Sequence, residues 1–268
     1  MTEVKREPTK QEEGKDVEER IEGPTEEEAA QEKKAPRERG RKRFERRGRK
    51  RFEEEKVWIP KTELGNRVLK GEFTGLDNIL KKGFVILEPE VVDHLISDLK
   101  EDVVYIGGTP GKGGGIRRTA TKKTSRMHKS GRRFKMTALA VVGNENGIIG
   151  LGKASSKEHR VAIEKATEQA KLNVIRVKMG CGSWECACGS KHSIPFKTEA
   201  KEGSVRVVML PAPKGTGIVA SRSVRQLIQL AGINDVWVKT YGKTSTRANL
   251  SYAVFKAMQN LMTTKGEL

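Results

Sequence analysis

"NGIIGLGKAS", residues 146–155, sets three glycines, Gly147, Gly150 and Gly152, ahead of Lys153. Counted from Gly147, the phosphate-loop spacing G-x-x-x-x-G-K-[ST] is met at Gly147, Gly152 and Lys153 and broken at Ala154, where a hydroxyl should hold Mg²⁺. A phosphate loop turns its backbone N–H groups toward the ligand, whereas Ile148, Ile149 and Leu151 are apolar and read as a β-strand. Nucleotide hydrolysis is therefore not expected. The stretch reads as a hairpin strand running into a helix N-terminus, with Lys153 at the junction, where unpaired N–H groups favour an anion such as a nucleic-acid phosphate.

The flanks extend this reading. "FKMTALAVVG" (134–143) supplies the preceding strand through the tight turn "NEN" (144–146), and "VVYI" (103–106) supplies a first one. Downstream, Ser155 and Glu158 have capping-box spacing, and Ala162, Ala166 and Ala170 line one face of a helix that can sit close on a sheet. Upstream, two short helices are expected. Thr74 and Asp77 have capping-box-like spacing around the first, with Leu76, Ile79 and Leu80; the second carries Val91, Val92, Leu95, Ile96 and Leu99 after Pro89. The order of this unit is α-β-β-β-α.

A second unit, β-β-α-β-α, follows. It comprises "SIPFK" (193–197), "GSVRVVML" (203–210), the turn "PAPKGTG" (211–217), and a helix capped by Ser221 or Ser223. That helix holds Val224, Leu227, Ile228 and Ala231 and ends at Gly232. The strand "DVWVKT" (235–240) and a helix with Leu250, Ala253, Val254, Ala257, Met258 and Leu261 on one face complete it. The chain is thus expected to be α+β, with small domains at 56–178 and 193–268 joined by a cysteine-containing linker at 179–192.

The 268 residues carry 53 Lys+Arg against 35 Asp+Glu, a net charge of +18, and its distribution names the partner class. Residues 1–32 are acidic and nearly devoid of apolar side chains, and residues 33–51 are strongly basic, with "GRKRFE" repeated at 40–45 and 48–53. Residues 1–55 read as a disordered tail whose basic half orders on a polyanion. The other excess lies in residues 111–135, where Lys112, Arg117, Arg118, Lys122, Lys123, Arg126, Lys129, Arg132, Arg133 and Lys135 occur without an acid. A solvated face mixes its signs, so this segment reads as a long basic loop, 107–135, with a mobile tip at "SG", neutralising nucleic-acid phosphates. Phe134 is its one aromatic, which favours folded RNA recognised by shape over stacked single strands. Lys243 and Arg247, beside Lys239 around the turn "KTYGKTSTRAN" (239–249), form a smaller acid-free patch for backbone contacts. An amphipathic membrane helix is missing, and no apolar run is long enough to span a bilayer, so a soluble, intracellular protein is expected.

Cys181, Cys186 and Cys188 cluster with His192 in "CGSWECACGSKH" (181–192). Four such ligands suit tetrahedral zinc in number, but their spacing does not follow the usual two arms of paired ligands, and Cys-x-Cys is tight for one ion. A reduced loop of small residues reads as well. No base or orienting partner nominates a catalytic thiol, and no set of acid, base and nucleophile supports a zinc-dependent nucleic-acid enzyme.

Two long stretches carry a resemblance: "SGRRFKMTALAVVGNENGIIGLGKASSKEHRVAIEKATEQAKLNVIRV" (130–177) and "PAPKGTGIVASRSVRQLIQLAGINDVWVKTYG" (211–242). In order and spacing they resemble the family of small-subunit ribosomal protein five, in its archaeal and eukaryotic form, across about residues 57–262. The cysteine-containing linker is similar to the archaeal branch. The resemblance implies an N-terminal domain like the double-stranded-RNA-binding fold and a C-terminal domain with a left-handed βαβ crossover. It also implies a structural, non-catalytic protein of the cytoplasm, with no required cofactor and no small-molecule substrate. Such a protein contacts small-subunit ribosomal RNA near the body–head junction, touches small-subunit protein four, lies near where messenger RNA enters and supports decoding accuracy. The family's RNA-reaching loop maps onto Arg117 to Lys135, around "GRRF" at 131–134. Its protein-four contact maps onto Lys214 to Arg225, with Lys214, Arg222 and Arg225 as the contacting side chains. An RNA-duplex regulator outside the ribosome is the alternative, and it would bind duplexes generically and in a salt-sensitive way.

Overall fold

The structure, a computed structural model, describes residues 58–73 and 75–263; the charged tail at 1–55 lies outside them. The described residues from Trp58 onward belong to one compact unit. Its centre is an antiparallel sheet of β1 (Lys100–Val103), β5 (Gly131–Gly143), β6 (Ile148–Ser156) and β7 (Val174–Arg176), in the order β1-β5-β6-β7. The strand β4 (Lys122–His128) also pairs with β5. The "NEN" turn closes the β5–β6 hairpin as expected. Glu145 and Gly147 take positive φ there, and the Asn144 side-chain oxygen accepts from the N–H groups of Asn146 (2.8 Å) and Ile148 (3.1 Å).

Both faces of β5 from Met136 onward and of β6 up to Gly152 are covered, which is why these stretches read as apolar runs rather than alternations. One face packs the helix α4 (His159–Leu172), whose Ala162, Ala166 and Ala170 are fully buried beside Met136, Ala138 and Ala140. Gly150 and Gly152 form the notch that lets this helix approach. A Cβ at Gly152 would stand 2.2 Å from the Ala170 nitrogen, and one at Gly150 would stand 2.2 Å from the Ala170 carbonyl oxygen. The glycines of the opening stretch are thus explained by helix-on-strand contact rather than by a phosphate. On the other face Leu139, Val141, Ile149 and Leu151 merge into a core with Val224, Leu227, Ile228 and Met258 from the second half of the chain.

Three short helices, α1 (Glu63–Leu69), α2 (Leu76–Lys81) and α3 (Glu90–Leu95), precede the sheet where two were expected. The extra one, α1, is capped by Thr62, whose hydroxyl accepts from Gly65 N–H at 3.1 Å. Thr74 lies outside the described residues, and α2 starts from Gly75 without a side-chain cap. Val68, Leu76, Ile79, Val91 and Val92 bury against Ile148 and Val174 at the β6–β7 edge. Glu88 ties the beginning of this region together. Its carboxylate accepts from Trp58 Nε1 (3.0 Å) and from the N–H groups of Lys61 (2.8 Å) and Thr62 (2.7 Å).

The second half forms a sheet ordered β10-β11-β9-β8 from β8 (Thr198–Glu202), β9 (Val205–Pro211), β10 (Ile218–Val219) and β11 (Val236–Gly242). The helix α5 (Arg222–Leu230) links the parallel pair β10 and β11, and α6 (Arg247–Asn260) buries the expected face, including Leu250, Ala253, Val254, Ala257 and Met258. Several expected boundaries move. "SIPFK" is not a strand: Ser193 bridges to Gly180 and the strand begins at Thr198. "VVYI" keeps only Val103 in β1, although Val104 N–H still donates to the Leu139 carbonyl at 2.9 Å. No helix among the described residues is long and apolar enough to cross a membrane.

Candidate nucleic-acid interface

Residues 107–135, expected as a loop, are instead two hairpins. β2 (Gly107–Pro110) pairs with β3 (Ile116–Thr119), and β4 pairs with the first half of β5 as a long two-stranded ribbon, its tip at Lys129–Ser130. The reason lies in the hydrogen-bond ladder: β5 continues past the core, and Lys122–His128 pairs with it residue by residue. Every residue of β4 and the first five of β5 are exposed, so the ribbon projects from the body.

The register sorts the basic side chains by face, because directly opposite residues in an antiparallel pair share one. Lys122 opposes Thr137, Thr124 opposes Lys135, and Arg126 opposes Arg133. On β6, Ser155 opposes Thr137 and Lys153 opposes Leu139. Lys122, Arg126, Arg133, Lys135 and Lys153 therefore share the sheet face turned away from α4. Lys153 is an exposed residue within β6, well before α4, and so is not at a helix N-terminus as the sequence suggested. Ser155 is likewise a strand residue and does not cap α4, whose N-cap position is Glu158, an acid unsuited to a phosphate seat.

The other face of the ribbon carries Lys123, Arg132 and Phe134. Lys123 Nζ sits 3.9 Å from the Phe134 ring centroid and the Arg132 guanidinium lies 5.7 Å from it, while Arg132 Nε donates to Ser125 Oγ at 2.9 Å. Arg133 donates to Ser130 Oγ at 3.0 Å. None of the ten basic residues of 111–135 has a carboxylate partner among the described residues; the acid-paired lysines and arginines lie elsewhere. Lys112 stands in the exposed turn between β2 and β3.

A second cluster forms where the β2–β3 hairpin meets the second half of the chain. Arg118, Arg222 and Arg247 line one cavity of about 600 Å³ together with Tyr105, Gln226 and Thr240, and no acid lines it. Arg247 Nη1 donates to the Tyr105 carbonyl at 2.9 Å. Burial, with the like charge of Arg118 nearby, holds the Arg247 guanidinium below its ordinary pKa. Arg222, expected as a protein contact, thus falls in with two residues expected to bind RNA, a convergence across more than a hundred residues that has no local sequence signal. Lys214 and Arg225 stay outside this cavity; both are exposed, and Arg225 donates to the Ile218 carbonyl at 3.1 Å. Lys243 is exposed in the turn after β11.

The cysteine loop departs most from its sequence reading. The Sγ atoms of Cys181, Cys186 and Cys188 and a ring nitrogen of His192 all lie within 4.8 Å of one another. Asp235, which the sequence did not single out, holds His192 Nδ1 at 2.8 Å, both side chains being 7 % exposed. Hydrogen bonds from Ser190 to the thiol pull Cys188 down to about 6.

An α+β chain that projects a basic ribbon with no acid among its described residues has the surface of a nucleic-acid-binding protein. The comparisons with known proteins agree. The family described as ribosomal protein S5, N-terminal domain, matches residues 118–178, and ribosomal protein S5, C-terminal domain, matches residues 200–268. The small ribosomal subunit protein uS5 of Methanocaldococcus jannaschii is 48 % identical over 208 residues, covering 78 % of this chain and 89 % of that protein. Those of Nanoarchaeum equitans and Staphylothermus marinus are 46 % and 42 % identical, covering 87 % and 88 % of their own lengths. The chain belongs to the ribosomal protein S5 family, in its archaeal type. It is a structural protein of the small ribosomal subunit in the cytoplasm, not an enzyme.

Proposed function

We propose that this chain holds small-subunit ribosomal RNA near the junction of body and head, with the β4–β5 ribbon laid along RNA phosphates. The observation that carries the reading is the direct opposition of Arg126 and Arg133 on a ribbon face that also bears Lys122 and Lys135, in a ribbon without an acid, with Lys153 farther along the same sheet face. Like charges placed opposite one another destabilise a free hairpin. A polyanion between them converts that repulsion into binding free energy through phosphate contacts and counterion release. Lys112, Arg117 and Lys129 extend the contact to the two hairpin turns, and Lys123 and Arg132 reach it from the other face. Phe134 already has Lys123 over its ring, which favours backbone and shape recognition over base stacking. The cleft of Arg118, Arg222 and Arg247, with Lys243 nearby in sequence, offers a second phosphate seat.

Lys214, in the turn before β10, and Arg225, on α5, both outside that cleft, are assigned to small-subunit protein four; Arg222, the third residue to which the family's contact maps, lines the cleft instead. This assignment, the nearness to the path of messenger RNA and the support of decoding accuracy rest on the family resemblance. In this reading residues 56–178 form the RNA-binding domain, 193–268 the protein-docking one, and 179–192 the link between them.

The test is sedimentation of a lysate through sucrose gradients at moderate and high salt, with full-length chain and an Arg126→Glu/Arg133→Glu variant. Wild-type protein is expected to travel with the small subunit through the salt wash, and the variant to move to the top at high salt. Retention of the variant at both salts would refute the role of the ribbon. Wild type at the top of the gradient would favour the free RNA-duplex regulator.

A further inference from the structure

We propose that Cys181, Cys186, Cys188 and His192 hold one structural zinc ion, with Asp235 as the carboxylate that orients His192 and links the metal to the "PAPKGTG" turn. The spacing that argues against zinc in the sequence is resolved by how the loop closes. Gly180 and Ser193 form an antiparallel bridge, with N–H to carbonyl bonds of 2.8 Å in both directions, and Gly182 N–H donates to the Ile194 carbonyl at 3.1 Å. The bridge makes two arms from one short segment: Cys181 leaves one arm, His192 enters the other, and Cys186 and Cys188 fold back from the tip. A turn in which Cys186 N–H donates to the Ser183 carbonyl starts that return.

The distances suit a tetrahedral ion. Zinc–sulfur bonds of about 2.3 Å and zinc–nitrogen bonds of about 2.0 Å set neighbouring ligand atoms roughly 3.5–3.8 Å apart. Cys186 Sγ and His192 Nε2 stand 3.7 Å apart, and all four ligand atoms lie within 4.8 Å. His192 is buried, and Asp235 occupies its Nδ1. With the Nδ1 proton shared with the carboxylate, the Nε2 lone pair faces the thiols, the arrangement by which a carboxylate behind the ring fixes a metal-ligating imidazole. Three thiols and one imidazole with no open position define a structural site rather than a catalytic one. Metal binding releases the thiol protons to solvent, which makes it pH-dependent.

Asp235 does more than orient the ring. Its other oxygen, Oδ1, accepts from Gly215 N–H (3.1 Å) and Gly217 N–H (2.7 Å), and the His192 carbonyl accepts from Asn234 and Asp235 N–H. Both glycines have positive φ, so the turn they shape is held by this carboxylate. Zinc on His192 therefore steadies a turn some twenty residues downstream in sequence, on the surface where Lys214 stands.

The experiment uses the full chain purified with reductant from zinc-supplied medium. Elemental analysis is expected to find one zinc per chain, and cobalt(II) to give the intense visible bands of a tetrahedral thiolate site. Cys188→Ser, at an exposed position, should keep the wild-type circular dichroism and lose the stoichiometric metal. Asp235→Asn should weaken zinc in competition with a chromogenic chelator by about 10- to 100-fold. Stripping the metal should speed hydrogen exchange at Gly215 and Gly217. Absence of stoichiometric metal, an octahedral cobalt spectrum, or full zinc retention in folded Cys188→Ser would overturn the site; unchanged exchange at the two glycines would overturn its link to the turn.

Discussion

Gly152→Ala is the sharpest test of why the chain folds as it does. The added Cβ would stand 2.2 Å from Ala170 N, 2.4 Å from Ala166 O and 2.6 Å from Gln169 C, all backbone atoms of α4 rather than ends of movable side chains. Ordinary contact begins near 3.4 Å, so the helix must retreat by about 1 Å, a gap that forfeits a quarter to a half of each dispersion contact across it. Overpacking of this kind costs about 1–3 kcal/mol, and three unyielding backbone contacts put the cost near the top of that range. Replacing glycine also restricts the unfolded chain and returns about 0.4–1 kcal/mol. The net loss is about 2 kcal/mol, or about 4–8 °C in Tm for a unit of this size. Thermal and urea unfolding followed by circular dichroism measure it. Gly113→Ala is the control: nothing lies within 4 Å of its Cβ, and a change within about 0.5 kcal/mol is expected. If Gly152→Ala unfolds within that same margin of the wild type, the glycine notch does not seat α4.

Three further outcomes are expected. Arg126→Ala with Arg133→Ala should lower the slope of log affinity against log salt for a ribosomal RNA fragment by about 1.4–1.8, one phosphate contact per arginine. Unfolding should be no easier, because the opposed charges are gone; a filter-binding salt series with an unchanged slope would refute the contact. Arg132→Ala with Arg133→Ala should also weaken RNA binding without unfolding the domain, since both side chains are exposed in the ribbon. Glu88→Gln should flatten the acid limb of stability. Desolvation opposes the charged form of Glu88, but the N–H groups of Lys61, Trp58 and Thr62 outweigh it and leave its pKa below the ordinary value. A carboxylate depressed in the folded state contributes stability that is present above its unfolded pKa, about 4.3, and is lost as pH falls through the folded value. Urea midpoints between pH 5 and pH 2.5 that fall as steeply in the variant would rule this out.

What the sequence made legible follows where burial imposes a pattern. β5, β6, α4 and α6 were readable because apolar residues recur along them, and the alanine face of α4 landed where its spacing placed it. The ribbon was not readable as strands because it buries nothing. β4 consists of seven exposed residues, and without a core face it carries no period-two signal, so in the sequence its charges read as a loop. The end of β6 is hidden for a related reason: in the sequence Ala154 and Ser155 look like a helix approach, yet ladder pairing with Ala138 and Thr137 holds them in the strand. The cysteine site needed contacts that no local spacing encodes, the Gly180–Ser193 bridge and a carboxylate 43 positions from His192. The arginine cavity is similar, since Arg118 and Arg222 meet only once the second half packs on the first.

The two faces of the β5–β6 hairpin show how one strand can serve folding and also the proposed binding. On the α4 side small residues, Ala138, Ala140, Gly150 and Gly152, let helix backbone approach strand backbone, so that half of the sheet is fixed by close contact. On the opposite side Leu139, Val141, Ile149 and Leu151 are buried by the second half of the chain, and past Leu139 the same face turns to Lys135, Arg133, Lys122 and Arg126. The stability lost to opposed arginines is local to the ribbon, whereas the core that anchors it is contributed by both halves. A protein can retain such a locally unfavourable row because the register that aligns it is set elsewhere, by residues 138–142 and 148–152. Departures from local consistency concentrate where function requires them. The row of like charges held in fixed register is therefore what the proposed contact with RNA, which would supply the missing counter-charge, predicts of this surface.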